Sequence, residues 1–137
     1  MDLRLIFYGV ITLILILIYT RSQKSRALIK EKRGQLNNAS GKKFYLCDAV
    51  DDLGDNLVQF YGGAVGTILP GMQIIMPDGM SYIIKEVYGD EKIPDRPSAQ
   101  IPDGMDNAAI VIEAPHFGFE SLRPKLKQER VLALEVK

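Results

Sequence analysis

The chain has 137 residues, with 17 Lys+Arg against 17 Asp+Glu, 47% apolar residues, no Trp, one Cys and one His. That size and composition fit one folded domain and exclude a disordered tail. The lone Cys47 excludes an internal disulfide framework or a Cys-rich zinc site, and the lone His116 excludes any site needing two imidazoles.

After Met1-Asp2-Leu3-Arg4 comes an uncharged apolar run from Leu5 to Tyr19. With Leu3 added and Arg4 snorkelling to the headgroups, the run reaches about the lower limit for crossing a bilayer. A spanning helix is therefore expected over residues 1–20, in competition with a cleavable signal peptide and a buried core helix. The run passes into Tyr19-Thr20-Arg21-Ser22-Gln23-Lys24 without a small-residue cleavage pattern, which favours an uncleaved anchor. Tyr8 and Tyr19 stand near its two ends, where amphipathic rings prefer the interface.

The flanking charges are unequal. Asp2 and Arg4 precede the run, whereas Arg21, Lys24, Arg26, Lys30, Lys32 and Arg33 follow it against Glu31. The positive-inside rule then places the N-terminus outside the cell membrane and the rest of the chain in the cytoplasm. Residues 21–43 carry eight basic groups and one acidic group, a net +7, and residues 44–137 carry eight basic and fifteen acidic groups, a net −7. The six basic residues from Arg21 to Arg33 are a candidate membrane surface for anionic lipid headgroups, although a solvated topology signal accounts for them equally well. Residues 21–43 read as a basic stalk, helical at first, with a linker from Gly34 to Gly41.

From Phe44 onward short apolar runs alternate with turn residues, which predicts strands at 44–50, 57–61, 64–69, 72–76, 81–88, 108–114, 117–122 and 132–136. Leu69-Pro70-Gly71, Pro77-Asp78-Gly79 and Pro102-Asp103-Gly104 supply the corners. Gly89 to Gln100 reads as an irregular loop. Lys125 to Arg130 favours helix, while Leu132 to Val136 alternates like a strand. The fold class is mainly β: a small closed or partly open barrel over residues 44–137, since closure removes exposed edges.

Several segments resemble the β-barrel second domain of elongation factor Tu and related translation factors: Phe44 to Val50, Gly63 to Met76, Tyr82 to Val87, and Ala99 with Asp103-Gly104 before Ala108 to Ile112. The resemblance implies a barrel. There is no Gly-x-x-x-x-Gly-Lys-Ser/Thr phosphate loop, and a barrel of net −7 lacks the positive surface that phosphate neutralisation needs, so no nucleic acid is expected as partner. Gly66, Leu69-Pro70-Gly71 and Gly79-Met80-Ser81-Tyr82 also resemble the small C-terminal barrel of NfeD-like membrane proteins.

Catalytic constellations are weakly supported. Cys47 lies on an apolar strand beside Asp48 and reads as a small core residue. Asp48, Asp51, Asp52 and Asp55 miss the spacing of a calcium loop and read as a solvated turn, so neither metal nor cofactor is expected. Tyr61, Tyr88, Phe60, Phe117 and Phe119 are candidates for a stacking surface or for the core, and Met72, Met76, Met80 and Met105 for a contact patch. The long polar loop gives the candidate binding residues Asp90, Glu91, Asp95, Arg96, Asp103 and Met105. The chain is thus expected to be a single-pass, membrane-anchored, non-enzymatic barrel that binds a protein partner in the cytoplasm. An outward-facing barrel binding a ligand or envelope component is the alternative, and an enzyme using Cys47 or the carboxylates is a third.

Overall fold

The computed structural model describes residues 3–37, 41–89, 97–106, 108–114 and 119–137. An N-terminal helix α1 (Leu3–Asn37) is followed by strands β1 (Lys43–Gly54), β2 (Leu57–Val65), β3 (Gln73–Ile75), β4 (Ser81–Tyr88) and β5 (Ala108–Glu113). A second helix α2 (Phe119–Glu129) and strand β6 (Leu132–Val136) complete the chain.

The strands form a closed barrel in the order β1-β2-β5-β4-β3-β6, and every neighbouring pair is antiparallel. β5 enters between β2 and β4, which separates the β1–β2 and β3–β4 hairpins around the wall. β6 closes the ring by pairing Cys47 with Leu132 on one side and Ile74 with Val136 on the other. The last seam is fastened by reciprocal 2.8 Å hydrogen bonds between the backbones of Gln73 and Lys137. The interior holds Tyr45, Phe60, Ile68, Ile74, Ile84 and Ile110, all buried. Tyr45 carries a polar group into this core: its hydroxyl donates to Ala108 O at 2.6 Å and lies 3.0 Å from Phe60 O. Burial pushes its phenol well above the ordinary range.

Two expectations about the strands are corrected. β2 is one strand through Gly62-Gly63, where the sequence suggested a break. The segment expected as a strand at 117–122 is helical from Phe119, with Phe117 outside the described residues. The turns follow the expected chemistry. Asp78 Oδ1 accepts Met80 N–H at 2.9 Å within its own turn, whereas Asp103 Oδ1 reaches across the fold to accept Gly66 N–H at 2.8 Å.

α1 is continuous where a linker was expected, running past Gly34 to Asn37. The spanning helix expected over residues 1–20 is not matched in the described residues, where no helix is long and apolar enough to cross a membrane. The described apolar side chains there run from Leu3 to Leu17, about 22 Å of helix at 1.5 Å per residue. A bilayer's hydrocarbon core is about 30 Å thick.

Gly62 fixes the β1–β2 contact. A Cβ at this position would sit 1.6 Å from the carbonyl oxygen of Leu46, beside the bulge between Cys47 and Ala49. We expect Gly62→Ala to destabilise the barrel by about 3 kcal/mol. Gly89→Ala, where a Cβ meets nothing within 4 Å among the described residues, is expected to stay within about 0.5 kcal/mol of wild type, both changes being measured by denaturant unfolding.

Candidate functional site

The strongest feature outside the core is the junction between the second half of α1 and the barrel wall. Ile29 is buried with Leu46, Val65 and Val131, and Leu28, Leu36 and Phe44 flank them. The helix comes this close because β2 presents Gly63: a Cβ there would lie 2.7 Å from Arg33 Nη2 and 3.1 Å from Ile29 Cγ2. A glycine in a strand interior marks a close backbone approach.

Two cations of α1 are spent on this junction. Arg33 Nη2 pairs with Asp106 Oδ1 at 2.7 Å and reaches Met105 O at 3.4 Å. The two side chains are 13% and 25% exposed, so the pair is partly desolvated, and Arg33 Nε is buried without a hydrogen-bond partner among the described residues. Lys32 Nζ donates to Val131 O and stands 3.9 Å from Glu129. Of the six expected membrane-surface residues, Lys32 and Arg33 therefore face the barrel. Lys24, Arg26 and Lys30 are exposed, and the side chain of Arg21 is outside the described residues.

Asp90, Glu91, Asp95 and Arg96 of the expected binding loop also lie outside the described residues. The other two are tied into the fold. Asp103 holds Gly66, and Met105 packs against the core while its carbonyl accepts from Ala64 N–H at 3.3 Å and from Arg33. The segment entering β5 thus anchors the helix through Met105 and Asp106.

Cys47 is fully buried, and burial together with neighbouring Asp48 pushes its thiol upward, so it stays protonated and shielded from reagents. Asp51, Asp52 and Asp55 are exposed, and Asp52 Oδ1 accepts Gly54 N–H at 2.9 Å in the turn of the β1–β2 hairpin. Among the described residues no three His, Cys, Asp or Glu side chains converge as a metal ion would require. Phe60 belongs to the core, Tyr61 and Tyr88 are half-buried, and Phe117 lies outside the described residues, as does the side chain of Phe119. The methionines divide: Met76 is buried, Met72 and Met105 pack on the core, and Met80 is exposed.

Two open grooves flank the junction. One of 590 Å³ runs between α2 and the outer faces of β6 and β3, with Phe44, Ile75 and Pro77 opposite Lys125, Gln128 and Glu129. The other, of 350 Å³, lies between α1 and the end of α2, lined by Lys24, Ala27, Leu28, Glu31 and Arg130. Comparisons of this chain with protein-family models, curated proteins and solved structures find no match. The fold and the junction themselves therefore define the class, a closed six-stranded antiparallel barrel fixed to a long helix.

We expect Asp106→Ala to cost about 2 kcal/mol, because it leaves the Arg33 guanidinium partly buried and unpaired. In an Arg33→Met background the same change is expected to cost less than about 0.5 kcal/mol, measured as a double-mutant cycle by denaturant unfolding. Asp48 gives a pH test. Burial raises its carboxyl above the ordinary 3.8, only partly offset by a backbone hydrogen bond. The folded state then holds this proton more tightly than the unfolded state, and stability from this group falls as pH rises from 3.8 through the raised value. Asp48→Asn is expected to raise Tm at neutral pH, with the advantage vanishing below pH 3.8.

Proposed function

We propose that this protein is a membrane-anchored, non-enzymatic adaptor that presents its barrel to the cytoplasm as a protein-binding module. The observation that carries the reading is the exposure of the first half of α1 around its whole circumference. Leu5, Ile6, Phe7 and Tyr8 are exposed in succession, and so are Leu13 to Leu17; four successive residues complete a helical turn. A partner helix or groove covers one stripe, whereas an all-round apolar helix calls for hydrocarbon. In sequence the run continues through Ile18 and Tyr19, and Arg4 can reach back to the headgroups, which supports a single crossing.

Orientation rests on charge. The basic residues after Tyr19 outnumber those before Leu5, which supports an external N-terminus and a cytoplasmic barrel. Support for protein binding comes from apolar side chains exposed around the β3–β4 hairpin. Met80 and Ile83 are 55% and 58% exposed, and Leu69, ahead of β3 with its amide 3.4 Å from Met72 Sδ, is 38% exposed. The net charge of −7 over residues 44–137 argues against nucleic acid. The closed barrel is compatible with the translation-factor-like and NfeD-like resemblances, which contribute a fold and no activity. Anchoring raises the barrel's effective concentration near other membrane-bound proteins.

Protease accessibility of a C-terminal tag in intact and permeabilised cells tests this reading. We expect the tag to sediment with membranes and to resist protease until permeabilisation. Cleavage in intact cells would place the barrel outside and favour an envelope-binding role; a tag that stays in the supernatant would refute anchoring.

A further inference from the structure

The β1–β2 hairpin is longer than the barrel it helps to build. β6 pairs with β1 from Lys43 to Cys47 and stops there, while β1 runs on to Gly54. Past the bulge at Asp48, Ala49 to Asp52 pair with Tyr61 to Val58 of β2 on one side, and on the other side they meet no strand among the described residues. Alternate residues of an antiparallel strand direct their N–H and C=O groups away from the partner they already have, so this stretch presents a row of them outward. Ala49 to Leu53 span about 17 Å, the length of an ordinary short strand.

The side chains along the edge decide what fits it. Val50 packs against the core, Ala49 before it is exposed, and every residue from Asp51 to Asn56 is exposed. Leu53 places an apolar side chain there that is 49% exposed. Tyr61, opposite Ala49, donates its hydroxyl to Asp51, which holds that carboxylate on the outer face of the sheet. Among the described residues neither Asp51 nor Asp52 forms an ion pair. Two β1 edges brought together would set four carboxylates against one another, and like charges directly opposite destabilise a strand pair. The same carboxylates favour a basic strand, so charge excludes a second copy and selects a different partner.

Resting on the protein-binding reading above, we infer that the edge of β1 from Ala49 to Leu53 accepts an extended segment of a partner protein as an added strand. Backbone hydrogen bonds to the outward groups of β1 hold the segment, and its side chains set the choice of partner. Two consecutive basic residues stand opposite Asp51 and Asp52, and an apolar residue next to them stands opposite Leu53. The added strand extends the β1-β2-β5 wall past the end of β6.

The test uses the full chain in dodecyl maltoside micelles and the peptide acetyl-Thr-Val-Arg-Lys-Val-Thr-amide, with amide exchange read by mass spectrometry. At roughly ten times its Kd the peptide is expected to slow exchange from Ala49 to Leu53 about tenfold and to leave β4 unchanged. With Glu-Glu in place of Arg-Lys the peptide is expected to bind about tenfold more weakly, since two opposite-charge cross-strand pairs become like-charge ones. Asp51→Lys with Asp52→Lys, both at exposed positions, is expected to reverse that preference. N-methylation of alternate amides in the basic peptide separates strand addition from charge attraction: of the two alternate sets, only the one facing β1 is expected to abolish protection. No protection by the basic peptide, or protection that survives both N-methylated sets, would overturn the edge site. Protection at Met80 and Ile83 instead would overturn the edge site and leave the protein-binding reading in place. Protection of the edge that rises with protein concentration in the absence of peptide would assign it to a second copy and overturn the proposal. Topology is read separately by the C-terminal tag, whose cleavage in intact cells would overturn the cytoplasmic reading without altering the peptide result.

Discussion

The close approaches permitted by Gly62 and Gly63 govern how this molecule is put together. Gly62 lets β2 lie against the Leu46 carbonyl at the β1 bulge, and Gly63 lets α1 settle on the outside of the same strand. Two adjacent residues thereby join the barrel wall to the helix. With Ile29 seated beside Leu46 and Val131, and Arg33 paired to Asp106, the second half of α1 is a component of the folded domain and no tether.

A rigid junction has consequences for the rest of the chain. α1 is continuous from Leu3 to Asn37, so fixing its second half to the barrel also fixes the direction in which its apolar first half leaves the domain. A bilayer that takes up that half would receive the barrel in a defined pose, where a flexible linker would let it tumble. The partly desolvated Arg33–Asp106 pair suits this role better than apolar packing alone, because an ion pair with a bidding carbonyl at Met105 accepts one geometry. The neutral total charge conceals a helix with a strongly basic middle docked on an acidic domain, and this pair is where the two meet most closely.

Much of the barrel was legible in the sequence because its signals are local. The strand at Ser81–Tyr88 and the Pro-Asp-Gly corners follow from short apolar runs bounded by turn residues and from glycine's access to positive φ, as at Gly79 (φ +89°) and Gly104 (φ +82°). Features that depend on tertiary contact were missed. Gly62-Gly63 read as a break because glycine weakens a strand, whereas here the missing side chains make room for Leu46 O and Arg33. Phe117-Gly118-Phe119 alternates like a strand and Pro124 discourages a helix, yet α2 forms because Leu122 and Leu126 pack on the core. Lys32 and Arg33 looked like two more members of a solvated basic run, and nothing within that run points to Val131 or Asp106. The glycine pair in an otherwise apolar strand was the one available signal that another element packs there.

Hydrogen–deuterium exchange of the full chain in a phospholipid nanodisc tests most directly that α1 is one rigid helix fixed to the barrel by its second half and, on the proposed anchoring, held by lipid at its first. The expected result is slow exchange without interruption from Leu5 through Leu36. Fast exchange between Gln23 and Leu36, with the barrel strands still protected, would show that the helix is a flexible tether and would contradict the account.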